Sequence, residues 1–180
     1  MGKYISILRG INVSGSKMIK MDALRKMYES LKFKNVATYI QSGNVIFESN
    51  STSPGELQKL IEKKILKVFG FEVPVIVIDK KEVAAVIKNS PFVKRKNIDV
   101  TKLHVTFLSE EPEQANIEKI EIAKYLPDEF IISGKAIYLH CPNGYGNTKL
   151  NNNFFENKLK VSATTRNWKT VNELLRLAEL

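Results

Sequence analysis

The chain has 180 residues and a formal net charge of +9, with 43% hydrophobic and 26% charged residues. This composition is typical of a soluble globular protein and allows one large domain or two small ones. No run approaches the ~20 consecutive apolar residues that a membrane span needs. Arg9 interrupts the short apolar run near the N-terminus, which argues against a signal peptide. We therefore expect no membrane partner.

Cysteine and histidine are scarce in this chain. The one cysteine, Cys141, allows no internal disulfide, which fits a reducing cytoplasm. With only His104 and His140 beside it, the chain has too few ligands of the right kind for a Cys/His zinc site. Nor does any spacing indicate a Ser-His-Asp set or a Cys-His dyad. We expect no metal, no cofactor and a cytoplasmic location.

The charge is unevenly distributed along the chain. Residues 1–40 hold eight basic and two acidic side chains, whereas residues 109–129 hold seven acidic and two basic ones. A molecule with a basic and an acidic region can steer anionic partners toward its basic side. The alternative is solubility alone, because lysine-rich helix faces are commonly just solvated.

The first part of the chain predicts the order strand, helix, strand, strand, helix, strand. A Ser-Pro-Gly-Glu stretch at 53–56 is a helix-starting capping box, and Gly70 is a typical helix end. This order is that of the ferredoxin-like split unit. The strands are predicted at 3–9, 35–41, 44–49 and 71–79.

The second part predicts a similar order, with a helical ending. A helix at 80–89 and a loop at 93–101 precede it. Strands are predicted at 102–108, 129–133 and 136–140, and helices near 113–125, near 147–159 and at the C-terminus. The fold class predicted is α+β, with two tandem ferredoxin-like (βαββαβ-type) subdomains. They span 1–79 and 101–180, joined by a linking helix and loop at 80–100.

Four segments carry polar residues that local structure does not demand. The first, LRGINVSGSK (8–17), places Arg9, Asn12 and Lys17 in a loop between a strand and a helix. Backbone amides of such a loop can cradle an anion. The alternative is a plain turn in which Gly10 and Gly15 supply positive φ angles.

The second segment, TYIQSGNVIF (38–47), is predicted to be a tight hairpin. Gln41, Ser42 and Asn44 cluster at its tip. They either form a rim of hydrogen-bonding groups for a ligand or serve only as turn residues.

The third and fourth segments each place a cation near a predicted helix start. In CPNGYGNTKL (141–150), Asn147 is the predicted N-cap and Lys149 follows it; in TTRNW (164–168), Thr164 or Thr165 caps a helix whose first turn holds Arg166. A cation at this end of a helix is unfavourable by up to ~1 kcal/mol. Two such cases favour an anion site. The alternatives are a solvated Lys149 and a structural ion pair of Arg166.

Taken together, LRGINVSG, TYIQSGNVIF, NGYGNTKL and TTRNWKTV resemble the bacterial family called domain of unknown function 1697. The resemblance covers the chain from Tyr4 to about Leu177. It implies a cytoplasmic bacterial protein with two ferredoxin-like subdomains and no established activity. The family pattern typically has Asn where this chain has Lys169, and this departure adds positive charge beside Arg166.

We expect the four segments to converge on one basic cleft between the subdomains and to bind a phosphate-bearing ligand, either a nucleotide or a single-stranded nucleic acid. Arg9, Lys149 and Arg166 hold the charge in this hypothesis. Asn12, Ser42, Asn44 and Asn167 orient the ligand, and Lys17 and Gln41 are further candidate ligand-binding residues. Two alternatives stay open. One is an enzyme that acts on a small anionic metabolite without a triad or metal, and the other is a structural or interaction module.

Overall fold

The computed structural model describes every residue from Met1 to Leu180 and has an α+β fold with two four-stranded antiparallel sheets. The chain forms two compact units. The first unit comprises Met1–Ala84 and Leu174–Leu180, and the second unit comprises Ala85–Glu173. None of the helices combines the length and the apolar character that crossing a bilayer requires.

The first sheet contains the strands of the first unit in the order β2-β3-β1-β4, and each neighbouring pair is antiparallel. Two helices connect these strands, and a third follows the last one. The elements are β1 (Gly2–Leu8), α1 (Met21–Ser30), β2 (Lys34–Tyr39), β3 (Asn44–Ser49), α2 (Pro54–Phe69), β4 (Val75–Asp79) and α3 (Lys80–Lys88).

Strand alternation gives the first sheet one apolar face that α1 and α2 cover. Phe47 on β3 is fully buried in this core, where its ring stacks on that of Phe33 with centroids 4.5 Å apart. The predicted ends of α2 are confirmed. Ser53 accepts a hydrogen bond from the Glu56 amide, and Gly70 ends the helix in the left-handed conformation at φ 82°.

The second sheet has the order β6-β7-β5-β8 and is also antiparallel throughout. Its apolar face packs around Phe155 and Leu159 of the fifth helix. The strands are β5 (Leu103–Leu108), β6 (Glu129–Ser133), β7 (Ala136–His140) and β8 (Ala163–Asn167). The helices are α4 (Gln114–Glu118), α5 (Asn152–Leu159) and α6 (Trp168–Glu179), with 3-10 turns at Val100–Lys102, Ile122–Tyr125 and Tyr145–Asn147.

The predicted start of the last helix is wrong. Residues 163–167 form β8, in which Arg166 lies opposite Val105 of β5, so Arg166 is not in a helical turn. The helix α6 begins at Trp168, and the Oδ1 atom of Asn167 accepts a hydrogen bond of 2.8 Å from the Thr170 amide. The threonine pair before Arg166 favours a strand once β5 offers hydrogen bonds, and pairing between distant segments outweighs local helix signals.

The predicted position of Lys149 in a first helical turn is also wrong. The helix α5 begins at Asn152, after Asn151 accepts a hydrogen bond of 2.9 Å from the Phe154 amide. The predicted cap, Asn147, instead donates its side-chain amide to the Asn143 carbonyl group at 2.9 Å. Leu150 is fully buried, so the chain turns inward there before the helix begins. Neither Arg166 nor Lys149 therefore lies in the first turn of a helix.

Candidate functional site

Six of the predicted site residues lie in the first unit, where β1 ends. The loop at 9–20 follows β1, and the turn at 40–43 precedes β3. The Leu8 amide donates to the Gly43 carbonyl group at 2.8 Å, and Nδ2 of Asn12 donates to the Gln41 carbonyl group at 2.8 Å. The first two polar segments therefore contact each other.

Asn12 holds its loop together through both ends of its carboxamide. Besides the bond to Gln41, Nδ2 donates to the Ile19 carbonyl group at 3.0 Å, and Oδ1 accepts from the Ile19 amide at 2.8 Å. The residue has a φ of 55°, in the left-handed region that asparagine tolerates better than most residues. These contacts give Asn12 a structural function whether or not a ligand binds.

Lys17 and Arg9 attach the same loop to the segment before β4. The ammonium group of Lys17 donates to the Glu72 carbonyl group at 2.6 Å, and the Arg9 amide donates to the Pro74 carbonyl group at 2.9 Å. Both side chains are half-buried. Three stretches of the first unit therefore meet at the end of β1.

The hairpin turn is held by buried polar contacts and by an unusual backbone. Asn44 is fully buried and donates to the Tyr39 carbonyl group at 2.9 Å and to the Ser42 hydroxyl group at 3.1 Å. Ile40 has a φ of 51°, which is a strained conformation for a β-branched residue. Gln41 keeps its side chain exposed to solvent.

The remaining three predicted residues, Lys149, Arg166 and Asn167, lie in the second unit. Leu103 pairs with His140 at the end of β7, and His104 pairs with Asn167 at the end of β8. The third polar segment follows β7, and the fourth contains the end of β8. Both therefore lie at the same end of the second sheet, next to the start of β5. We call Lys149, Arg166 and Asn167 the second-unit group.

Arg166 is the most perturbed cation of the second-unit group. Its side chain is half-buried, and Nη1 donates to the Thr165 carbonyl group at 3.0 Å. Burial lowers the pKa of Arg166 to about 10, and the interaction with Tyr145 raises it in the opposite direction. A desolvated cation gains free energy from nearby negative charge. Lys149 and Asn167 are exposed.

His104 and Tyr145 form a ring pair that the sequence did not indicate. Their rings stack with centroids 4.8 Å apart and planes inclined by 24°. Nδ1 of His104 is buried without a hydrogen-bond partner. Burial lowers the pKa of His104, and the backbone of Lys102 raises it to a smaller extent. The imidazole is therefore neutral near pH 7.

A chain of hydroxyl and amide groups continues from the face of β5 that carries His104. Thr106, which is fully buried, shares a hydrogen bond of 2.7 Å with the Thr165 hydroxyl group. That hydroxyl group donates to Oδ1 of Asn152 at 2.7 Å. Buried hydrogen bonds of this kind fix side chains in one arrangement, so β5, β8 and α5 are held together by polar contacts as well as apolar ones.

Other reactive groups do not form a second centre. Cys141 is buried, and burial raises the pKa of its thiol to about 11, so it is not a nucleophile at neutral pH. No group of three or more His, Cys, Asp or Glu residues is arranged to hold a metal ion. A groove of about 410 Å³ in the second unit is lined by Glu110, Glu111 and Glu113. Its negative charge does not suit an anionic ligand.

Comparisons with known proteins give a family and a fold. The family model described as "Protein of unknown function (DUF1697)" matches residues 1–138. Among solved structures, the chain is similar to the conserved bacterial protein SP0830 from Streptococcus pneumoniae, with 23% identity, a TM-score of 0.75 and 98% of each chain covered. At this identity the likeness shows the fold alone. No curated protein matches the chain significantly.

Proposed function

The chain belongs to the DUF1697 family of proteins of unknown function, and from that premise we propose that it binds a phosphate-bearing ligand at the start of β5. The ligand is a nucleotide or a single-stranded nucleic acid. Arg166 and Lys149 supply positive charge, and the amide group of Asn167 donates a hydrogen bond. The same proposal places the protein in the cytoplasm, which fits its one unpaired cysteine.

We also propose that both units are ferredoxin-like, with subdomains at 1–79 and 101–180 and a linking segment at 80–100. The two sheet orders support this assignment, because each sheet places its first strand between its third and fourth strands. In each unit the chain passes through strand, helical segment, strand, strand, helix and strand in that order. This is the connectivity of the split βαβ unit.

The observation that carries the proposed function is the desolvated guanidinium group of Arg166. A planar guanidinium group binds phosphate oxygens through two parallel hydrogen bonds, and it does so more strongly where water is partly excluded. The side chain of Arg166 is half-buried, and this burial lowers its pKa to about 10. The hydrogen-bonded contacts of Thr165 with Thr106 and Asn152 support the site, because they fix the strand that carries Arg166.

In this proposal, the six predicted site residues of the first unit form a separate contact region for an anion. Arg9 and Lys17 are its charged members and are half-buried, and Gln41 is its exposed polar member. Asn12 and Asn44, with Ser42, hold the loop and the turn, as their hydrogen bonds indicate.

An enzyme that acts on a small anionic metabolite is the second candidate function. The observation that favours it is the neutral His104 stacked on Tyr145, because a neutral imidazole can accept a proton from a bound molecule. In that case binding of the anion at Arg166 is the first step, so the test of binding comes before any test of reaction.

The proposed function is tested by fluorescence anisotropy with labelled single-stranded RNA, single-stranded DNA and a labelled nucleotide at low and moderate salt. We expect binding that weakens with salt, as it does when phosphate charges are neutralised. Replacing Arg166 with Gln should weaken binding at least about tenfold, the size of one charge-assisted hydrogen bond. Lys158→Gln removes the same charge from an exposed position on α5 and is the matched control.

Two results contradict the proposed function. One is the absence of binding to every probe at low salt. The other is binding that Arg166→Gln and Lys158→Gln weaken equally, which indicates attraction by net charge alone. A variant Arg166→Gln that binds normally but melts at a lower temperature assigns Arg166 to a structural or interaction module.

A further inference from the structure

The exposed apolar side chains of the second unit are concentrated in one short segment. This unit exposes four large apolar side chains, and three of them, Ile122, Leu126 and Ile131, lie between the 3-10 turn at Ile122–Tyr125 and the middle of β6. Ile131 is 42% exposed although it lies within a strand. Exposed apolar side chains that occur together indicate a contact surface.

The strand β6 is also an open edge of its sheet. It is the last strand in the sheet, and no hydrogen bond outside the pair with β7 involves its main chain. Its register with β7 is continuous from Glu129 to Ser133, without a bulge, and the strand contains no proline. A regular edge of this kind can pair with a further strand.

The other three sheet edges carry features that hinder such pairing. The pairing of β2 with β3 is irregular. In β4, the Val75 amide donates a hydrogen bond of 2.9 Å to the Glu62 carboxylate. In β8, the Arg166 side chain donates to the Thr165 carbonyl group. Proteins protect their sheet edges with irregularities and covering side chains, so the unprotected edge of β6 fits a strand that pairs with a partner.

The hairpin geometry identifies the main-chain groups of β6 that point outward. A two-residue turn joins β6 to β7, and Gly134 in this turn has a φ of 57°. The residues that flank such a turn, Ser133 and Ala136, form a hydrogen-bonded pair, and hydrogen-bonded pairs alternate along the strands. Phe130 and Ile132 therefore direct their N–H and C=O groups away from β7.

These outward groups are complementary to those of a second copy. When two β6 strands pair antiparallel about Ile131, Phe130 of each copy lies opposite Ile132 of the other. Each of these two pairs exchanges two hydrogen bonds, which satisfies all the outward N–H and C=O groups. The two Ile131 side chains then form a non-hydrogen-bonded pair, in which side chains approach most closely. Each exposed isoleucine is thereby covered by the same residue of the other copy.

The charges near β6 also suit a second copy. The chain has a net charge of +9, but residues 121–135 hold three acidic and two basic side chains, so two copies meet there without the repulsion expected of the whole chain. In the register described above, Glu129 lies opposite the uncharged Ser133 of the second copy. The same register brings Asp128 within one position of the residue opposite Lys135 of the second copy, so opposite charges are close at both ends of the pair.

We propose that β6 is a self-association edge, at which two copies of this chain join their second sheets into one continuous eight-stranded antiparallel sheet with Ile131 at the two-fold axis. The contact involves one short strand from each copy, so the dimer is weak and its population rises with concentration. The inference does not depend on the anion site, and the two proposals are tested independently.

Sedimentation equilibrium of the full chain from micromolar to near-millimolar concentration tests the proposal. We expect the average mass of the wild-type protein to rise toward that of a dimer. Ile131→Lys places two like charges opposite each other at the axis and should abolish this rise. Val100→Lys adds the same charge at the fourth exposed apolar position of the second unit and is the matched control. It should associate as the wild-type protein does.

A mixture of two variants tests the register. Ile131→Glu alone should also be monomeric, whereas an equimolar mixture of Ile131→Lys and Ile131→Glu should form a mixed dimer, because opposite charges then meet at the axis. Amide hydrogen exchange of the wild-type protein gives a second readout. The amides of Phe130 and Ile132 should become more protected as the concentration rises, because they acquire hydrogen-bond partners.

Three results overturn the proposal. One is a wild-type protein that is monomeric at every concentration. Another is association that Ile131→Lys and Val100→Lys weaken equally, which depends on net charge and not on the β6 edge. The third is a mixture of the two Ile131 variants that stays monomeric, which shows that Ile131 does not lie at the axis of the dimer.

Discussion

Nδ2 of Asn12 donates a hydrogen bond of 2.8 Å to the main-chain carbonyl group of Gln41, 29 residues further along the chain. The same carboxamide also makes two hydrogen bonds with the main chain of Ile19. One side chain thus connects the loop after β1 with the turn before β3. The contact uses the backbone of Gln41 and leaves the Gln41 side chain free for solvent or a partner.

Replacing Asn12 with Ala should lower the free energy of unfolding by about 1–3 kcal/mol, because main-chain groups of Ile19 and Gln41 lose their partner. Gln41→Ala keeps the carbonyl acceptor and should change the free energy of unfolding by less than about 0.5 kcal/mol. Urea unfolding measures both. Equal effects of the two substitutions would contradict the assigned contacts.

Gly43→Ala should be more damaging than Gly15→Ala, although both glycines have positive φ angles of 86° and 75°. The backbone strain costs each variant about 1–2 kcal/mol. A Cβ atom at Gly43 would also lie 2.6 Å from Cδ1 of Ile11 and 2.9 Å from Cβ of Leu8, whereas Gly15 has open space around it. Overpacking adds about 1–3 kcal/mol. Similar urea midpoints for Gly43→Ala and Gly15→Ala would show that the turn accommodates the added Cβ atom without loss of stability.

Asn167→Ala should destabilise the protein by about 1 kcal/mol, because it removes the hydrogen bond that caps α6 at the Thr170 amide. Asn167→Ser should retain most of the stability, since serine is also a good N-cap. Lys169→Ala, at an exposed position in the first turn, is the control. Thermal unfolding of the three variants checks this order of stability. An unchanged melting temperature of Asn167→Ala would show that Asn167 does not cap α6.

The free energy of unfolding should fall as the pH is lowered below about 6.5, in part because of His104. Burial holds the pKa of His104 in the folded protein below its value in the unfolded chain. The unfolded chain therefore binds more protons in this window, and stability rises with pH until the unfolded pKa is passed. His104→Phe should lose this part of the slope in urea unfolding between pH 7.5 and pH 5.5, and His140→Phe should retain it. If the pH dependence of the free energy of unfolding is unchanged in His104→Phe, burial of His104 is not its cause.

Much of the element order could be predicted because its signals are local. Ser53 and Gly70 mark the ends of α2, and the strands predicted at 129–133 and 136–140 are observed at those residues. Residues 163–167 could not be assigned in this way. Their strand depends on hydrogen bonds to β5, which lies some 60 residues earlier, and the helical apolar pattern starts only at Trp168.

The candidate site shows the same limit. The sequence pointed to Asn12 and Gln41 because both lie in polar loops, and the structure joins their segments by a hydrogen bond. It did not point to His104 and Tyr145, which are 41 positions apart and stack only because β5 and the loop after β7 meet. A lone histidine on a strand has no local pattern that distinguishes a packed ring from a ligand-binding one.

A backbone amide NMR titration with inorganic phosphate tests whether an anion binds at the start of β5. We expect chemical-shift changes confined mainly to residues 144–149 and 166–169, with the His104 amide included, and their loss in Arg166→Gln. Shifts spread over the exposed lysines of α2, or no shifts at all, would contradict it.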